Sequence, residues 1–236
     1  MLRGELSPEQ LSRLISLPLR QSGDIPRGQP ISESLLDSNT LKRLFDFALA
    51  YAKEKSFYGL AFTQLPRDAF SILGLSPDFN NIMYISDTDD QDGMLLVNPL
   101  PDFGEVRALS FERCGSIGQS KLAMAVNRPI EVKMFGGTVY TQEGKVVRVS
   151  RRNPLAYGQN TTALIHHEYA HLLGKDAITH EPNLLLDPFN FEYPSEHRAQ
   201  EFDKIIRHFY QKWLVPRAGR LQIVNSHGDY VRDFHL

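Results

Sequence analysis

The densest concentration of chemistry in this 236-residue chain is the run His166-His167-Glu168-Tyr169-Ala170-His171. His167 and His171 are four residues apart. On a helix that spacing puts two imidazoles on one face, one turn apart, within reach of a single cation. Glu168 follows the first of them, where a carboxylate can take a proton from water without itself binding the metal. The trio describes metal-assisted hydrolysis. The alternative is an ordinary helix on which two histidines and a glutamate fell at this spacing by chance. That helix would be largely buried, because Thr162-Ala163-Leu164-Ile165 precede the trio and Leu172-Leu173 follow it. Buried His and Glu are costly without partners, which favours the metal reading. His166 is turned about 100° from His167 on a helix and is read as a non-ligand. His180, in the loop that follows, is read as structural or solvent-facing.

Two ligands are too few, since a catalytic site of this kind usually has three protein ligands and one open position. One metalloprotease pattern continues His-x-x-Gly-x-x-His; here Gly174 fits, but the third-ligand position is Ala177. Glu181, Glu192, Glu196 and Glu201 lie downstream, and none stands out. Upstream, Cys114 is the chain's one cysteine and offers a thiolate. A lone cysteine is otherwise most often a small buried hydrophobe.

The elements that must position these residues follow from periodicity and punctuation. Ser7-Pro8-Glu9-Gln10 carries a capping box with proline at the first helical position, so a helix is expected to about Ser16. Residues 18–40 are rich in Pro, Gly and Ser and read as a surface arm. Ser38 or Asn39 would cap a second helix, with Leu41, Leu44, Phe45, Ala48, Leu49 and Ala52 on one face. Short apolar or alternating runs at Ile82–Ser86, Met94–Val97, Val106–Phe111, Ile130–Phe135, Thr138–Tyr140 and Val146–Val149 read as strands, with Gln142-Glu143-Gly144 as a hairpin turn. Near Thr161 the period becomes helical, and Gly174 is placed to end that helix. A last helix is expected over about 197–214, with Phe202, Ile205, Ile206, Phe209 and Trp213 on one face, and a partly strand-like tail follows. Many strands followed by a helix argue an α+β fold.

Composition narrows the class. Hydrophobic residues make up 42% and charged residues 23%, as a packed globular core requires. A net charge of −2 lacks the concentrated basic face of a nucleic-acid binder. No apolar run is long enough for a membrane-spanning helix. Glu5, Pro8 and Glu9 interrupt any leader-like apolar segment, so a cytoplasmic protein is expected.

Three blocks in order make the sequence similar to the peptide deformylases. Gly59-Leu60-Ala61-Phe62-Thr63-Gln64 resembles the family's Gly-x-Gly-Leu-Ala-Ala-x-Gln, with Phe57 at the first glycine and Phe62 at the second alanine. Glu112-Arg113-Cys114-Gly115-Ser116 resembles Glu-Gly-Cys-Leu-Ser. His167-Glu168-Tyr169-Ala170-His171-Leu172-Leu173-Gly174 resembles His-Glu-x-Asp-His-Leu-x-Gly, with Ala170 at the aspartate. Val97-Asn98-Pro99 and Arg128-Pro129 are weaker echoes. The resemblance covers about residues 31–180, with residues 1–30 as an N-terminal helix and arm and 181–236 as a C-terminal helix and tail packed on the same domain.

The resemblance implies antiparallel and mixed sheets around a central helix that carries the metal. Cys114, His167 and His171 would hold a divalent cation, often iron in that family, with zinc, nickel or cobalt able to take its place. Glu168 would take the proton of a water in the remaining position and later deliver one to the leaving amine. The substrate would be an N-formylmethionyl peptide, formylated nascent chains near the ribosome being the natural source. Its oxyanion would be stabilised by the side-chain amide of Gln64 and the backbone N–H of Gly115. Gly59, Leu60 and Phe62 would contact substrate, Phe57 and Phe62 narrowing the pocket, and Glu112 with Arg128 would form a supporting ion pair. The altered first and second blocks motivate two competing readings. One is a hydrolase of the same fold acting on another N-acyl or amide substrate. The other is a deformylase-like binding protein without turnover.

Overall fold

In the computed structural model, residues 6–21, 24–55, 57–86, 93–112, 124–174, 220–224 and 230–235 are described. The first helix, α1 (Pro8–Ser16), starts as its sequence dictates: Gln10 N donates to Ser7 Oγ at 3.1 Å and Ser7 N to Gln10 Oε1 at 2.9 Å. α2 (Ser38–Lys55) is capped one residue earlier than expected. Thr40 N donates to the Asp37 carboxylate at 2.7 Å, so an aspartate and not Ser38 or Asn39 closes the first turn. α3 (Arg67–Leu73) is a further helix; its signals are Pro66 at the start and Gly74, at φ +68°, at the end. At seven residues it is too short for periodicity to reveal.

Five strands build the main antiparallel sheet: β1 (Gly59–Ala61), β2 (Ile82–Ile85), β3 (Met94–Val97), β8 (Gly137–Thr141) and β9 (Val146–Val149), in the order β1-β2-β3-β8-β9. A three-stranded antiparallel sheet has the order β10-β7-β4, from β4 (Pro101–Phe103), β7 (Val132–Met134) and β10 (Leu155–Tyr157). In a third sheet β5 (Arg107–Glu112) pairs antiparallel with β6 (Met124–Pro129) and parallel with β11 (Arg220–Val224), which pairs with β12 (Tyr230–His235). The strand expected over 130–135 is shorter, because Ile130 N donates to Val106 O and belongs to the end of the β5–β6 hairpin. β4 and β10, at three residues each, carry no readable alternation. The β8–β9 hairpin turns at Gly144, φ +79°, as read from Gln142-Glu143-Gly144. The helix expected over 197–214 lies outside the described residues.

Apart from its exposed edge strand β9, the main sheet is buried on both faces, and pleating divides its side chains between two cores. Leu60, Ile82, Tyr84, Leu95, Val97 and Tyr140 face α1, α2 and α3 and pack with Leu14, Leu44, Phe45, Phe47 and Phe70. Ala61, Met83, Ile85, Leu96 and Val139 face the other way, onto Ile165 and Leu172 of α4 (Gln159–Leu172). The three-stranded sheet adds Val132 and Met134 to that second core. α4 packs on β1, β2 and β6, so it is held between sheets. Among the described residues no helix is long and apolar enough to cross a membrane.

Candidate active site

α4 ends where its sequence says it must. Leu173 N donates to Tyr169 O and Ala170 O, and Gly174 takes the left-handed conformation at φ +69°. His167 and His171 lie one turn apart with ring centroids 5.1 Å apart and ring planes crossed at 72°. His171 is fully buried and His167 and Glu168 nearly so, at 0%, 6% and 5% exposure. Two buried imidazoles on one helix face, with a buried carboxylate beside them, form a donor set that suits a divalent cation. Among the described residues no three His, Cys, Asp or Glu side chains make a complete metal-holding group. Cys114 and Gly115, the expected upstream ligand and backbone donor, lie outside those residues.

β1 lies against α4 at the carboxylate. A Cβ on Gly59 would sit 2.5 Å from Glu168 Oε1, 2.7 Å from its Cγ and 2.9 Å from its Cδ. The φ of Gly59 is not in the left-handed range, so glycine is needed here for space and not for backbone freedom. Gly59 is expected to contact substrate; what the structure shows is that its missing side chain makes room for Glu168.

After β1 the chain tightens into a 3-10 turn, Phe62–Gln64. Ala61 N donates to Gln64 Oε1 at 3.0 Å inside the protein. That bond occupies the oxygen end of the amide, which makes the nitrogen the donor end. Thr63 Oγ1 donates to His171 O at 3.0 Å, fastening the Gln64 turn to the last turn of α4. Nothing local in the sequence marks this bond, because the two partners are 108 positions apart.

Leu60 and Phe62 do not face this site with their side chains. Both are fully buried in the core under α2, where the Phe62 ring meets Phe47 edge-on at 5.9 Å. Phe57 likewise packs toward Tyr51, at 6.3 Å. The pocket-narrowing expected of Phe57 and Phe62 is therefore replaced by core packing.

Arg128, 1% exposed, reaches α4 from β6. Its Nη1 is 2.9 Å from His166 Nδ1 and its Nη2 3.4 Å from His167 Nδ1. A guanidinium only donates, so His166 Nδ1 accepts and its ring proton sits on Nε2. The 3.4 Å contact is too long to impose the same choice on His167. His166 also meets the Phe103 ring edge-on at 4.6 Å. Strand register sets Arg128 opposite Ala108 and Glu112 opposite Met124, so the two members of the expected ion pair are not cross-strand neighbours. Burial pushes the Tyr169 phenol up, partly offset by the charge of Arg27.

No family model and no curated protein matches the chain. Solved structures do. A class I type b peptide deformylase from Acinetobacter baumannii aligns at 22% identity and TM-score 0.51, covering 68% of this chain and 95% of that one. A probable peptide deformylase from synechococcus phage S-SSM7 aligns at 20% identity and TM-score 0.50, covering 68% and 97%. The Acinetobacter protein with Met-Ala-Ser bound aligns at 21% identity and TM-score 0.50, covering 68% and 96%. The fold is thus that of the peptide deformylases, an α+β architecture with mostly antiparallel sheets.

Proposed function

We propose that the protein is a metal-dependent amide hydrolase that removes the N-formyl group from N-formylmethionyl peptides. The observation that carries this reading is the meeting of His167, His171 and Glu168 on one buried face of α4 with Gly59 and the Gln64 turn, inside a deformylase fold. His167 and His171, with Cys114, would hold the divalent cation; iron suits the set, and zinc, nickel or cobalt would also occupy it. Bound there, the cation supplies Lewis-acid polarisation of the formyl carbonyl and lowers the pKa of water toward neutrality.

The remaining work falls to the chain. Glu168, walled in by β1 and buried, accepts the proton of the attacking water and returns one to the leaving amine. Its position behind Gly59 keeps it directed and excludes bulk water. The nitrogen end of Gln64 donates to the developing oxyanion, and its opposite end is anchored on Ala61 so that little reorganisation is needed. The backbone N–H of Gly115 would be the second donor. Leu60 contributes through its main chain on β1, because its side chain belongs to the core.

The test is formate release from formyl-Met-Ala-Ser by anaerobically prepared protein loaded with ferrous iron. Release is expected from the wild type and absent from Glu168→Ala at unchanged metal content, while Cys114→Ser should lose metal. Metal-loaded wild type that releases no formate would sink the reading. Release of another acyl group in its place would favour the N-acyl alternative.

A further inference from the structure

The N-terminal arm touches both halves of the candidate site. Arg20 is bound twice to the Gln64 turn: its backbone N donates to Gln64 O at 2.8 Å, and its side-chain Nε donates to Leu65 O at 2.7 Å. Farther along the arm, Gly28 N donates to Leu172 O at 2.7 Å, one residue past His171. A Cβ on Gly28 would already be 3.1 Å from that carbonyl, so arm and helix end are in close contact. Between these fastenings the site closes on itself through Thr63 and His171 O. Most of this arm lies in the first thirty residues, away from the three motif blocks.

We infer that Arg20 is a positioning residue for the amide of Gln64. The 3-10 turn is three residues long, and its one side-chain cap is Gln64 Oε1 on Ala61 N at its start. The carbonyls at its end, those of Gln64 and of the C-cap Leu65, are the groups Arg20 holds from outside. With the turn pinned at that end, the Gln64 side chain can fold back onto Ala61 N and keep its nitrogen end directed into the site. A guanidinium suits the task because its planar donors hold one orientation where an ammonium rotates. The inference rests on the deformylase reading for its effect on turnover, but not for its effect on the turn.

The experiment uses the full chain carrying Arg20→Ala, Gln64→Ala and both together. Arg20→Ala keeps the main-chain bond to Gln64 O and so keeps the path of the arm. It should lower kcat for formate release about tenfold to a hundredfold, with KM little changed, as misplacing a transition-state donor does. In the Gln64→Ala background it should have no further effect on kcat. Amide exchange supplies a readout that needs no turnover. Ala61 N–H, held by Gln64 Oε1, should exchange at least about tenfold faster in Arg20→Ala, with β2 and β3 unchanged. An additive double-mutant cycle, or unchanged exchange at Ala61, overturns the inference. Wild type without formate release refutes the deformylase reading alone, and exchange at Ala61 then decides the role of Arg20.

Discussion

Gly59→Ala separates the fold of this site from its chemistry. The new Cβ would lie 2.5 Å from Glu168 Oε1, against an ordinary contact of 3.4 Å or more, so the carboxylate must retreat by about 1 Å. All three of the closest atoms belong to the Glu168 side chain and none to backbone. The φ of Gly59 suits alanine, so the strand itself has no reason to move. The side chain that gives way is the flexible one. The cost in stability is that of moderate overpacking, about 1–3 kcal/mol, or a fall in Tm of several degrees in a chain this size. The cost in rate is larger in consequence, because about 1 Å of misplacement at a general base is worth roughly a hundredfold. The expected result is a folded protein of ordinary metal content whose kcat for formate release falls about a hundredfold. Single-turnover formate release, metal analysis and thermal unfolding on one preparation would measure all three. Gly59→Ala at wild-type kcat, in a protein whose Tm has fallen as overpacking requires, would refute the placement of Glu168 as the proton-carrying group.

Two further outcomes follow from the frame around the site. Burial pushes the Tyr51 phenol up to about 12, from an unfolded value near 10, so it resists ionisation only while folded. The stability this contributes is present below pH 10 and lost as pH rises to about 12; denaturation of Tyr51→Phe across that window should show a shallower decline than wild type. Gly174→Ala puts a side chain at φ +69° and a Cβ 2.9 Å from the Arg27 backbone N. It should cost about 1–2 kcal/mol and roughly 2–8 °C in Tm, read by calorimetry, with loosened fastening of the arm.

What the sequence made legible is what local physics decides. The Ser7–Gln10 capping box, the β8–β9 turn at Gly144, the helix end at Gly174 and the doubly buried strands β2 and β3 each rest on a few neighbouring residues. Asp37 displaced Ser38 and Asn39 as the cap of α2 because all three are good caps and only the path of the arm selects among them. The Arg20, Thr63 and Arg128 contacts were hidden for a different reason. Their partners are 45, 108 and 38 positions away, and no periodicity reports such a distance. Within the site, spacing alone paired His167 with His171. The role of Gly59 as the wall beside Glu168 needed the packing of β1 on α4.

The structure also relocates the question of substrate. The two aromatic departures in the first block, Phe57 and Phe62, lie where they meet other aromatics: Phe62 against Phe47, Phe57 against Tyr51. Phe47 and Tyr51 both belong to α2, and both are essentially fully buried. A glycine or alanine at 57 or 62 would leave a void beneath these rings, and filled cores are stabilising by more than the side chain's transfer alone. The bulky residues are therefore explained by the helix they pack under, on the face of the main sheet opposite Glu168. Gly59, Ala61 and Gln64, the positions of that block beside Glu168 and in the Gln64 turn, keep the residues of the deformylase block. The same division applies on α4. Ala170 lacks the carboxylate of the deformylase motif, yet His166 Nδ1 accepts from the Arg128 guanidinium at 2.9 Å, so this helix keeps a tie to the β5–β6 hairpin through an imidazole nitrogen. Under the deformylase reading, the departures left to test for an effect on substrate are Arg113 and Gly115, which flank Cys114 in the sequence and lie outside the described residues. Restoring glycine and leucine there, with residues 57 and 62 untouched, is the substitution pair that should change KM for formyl-Met-Ala-Ser; reverting Phe57 and Phe62 should change stability instead.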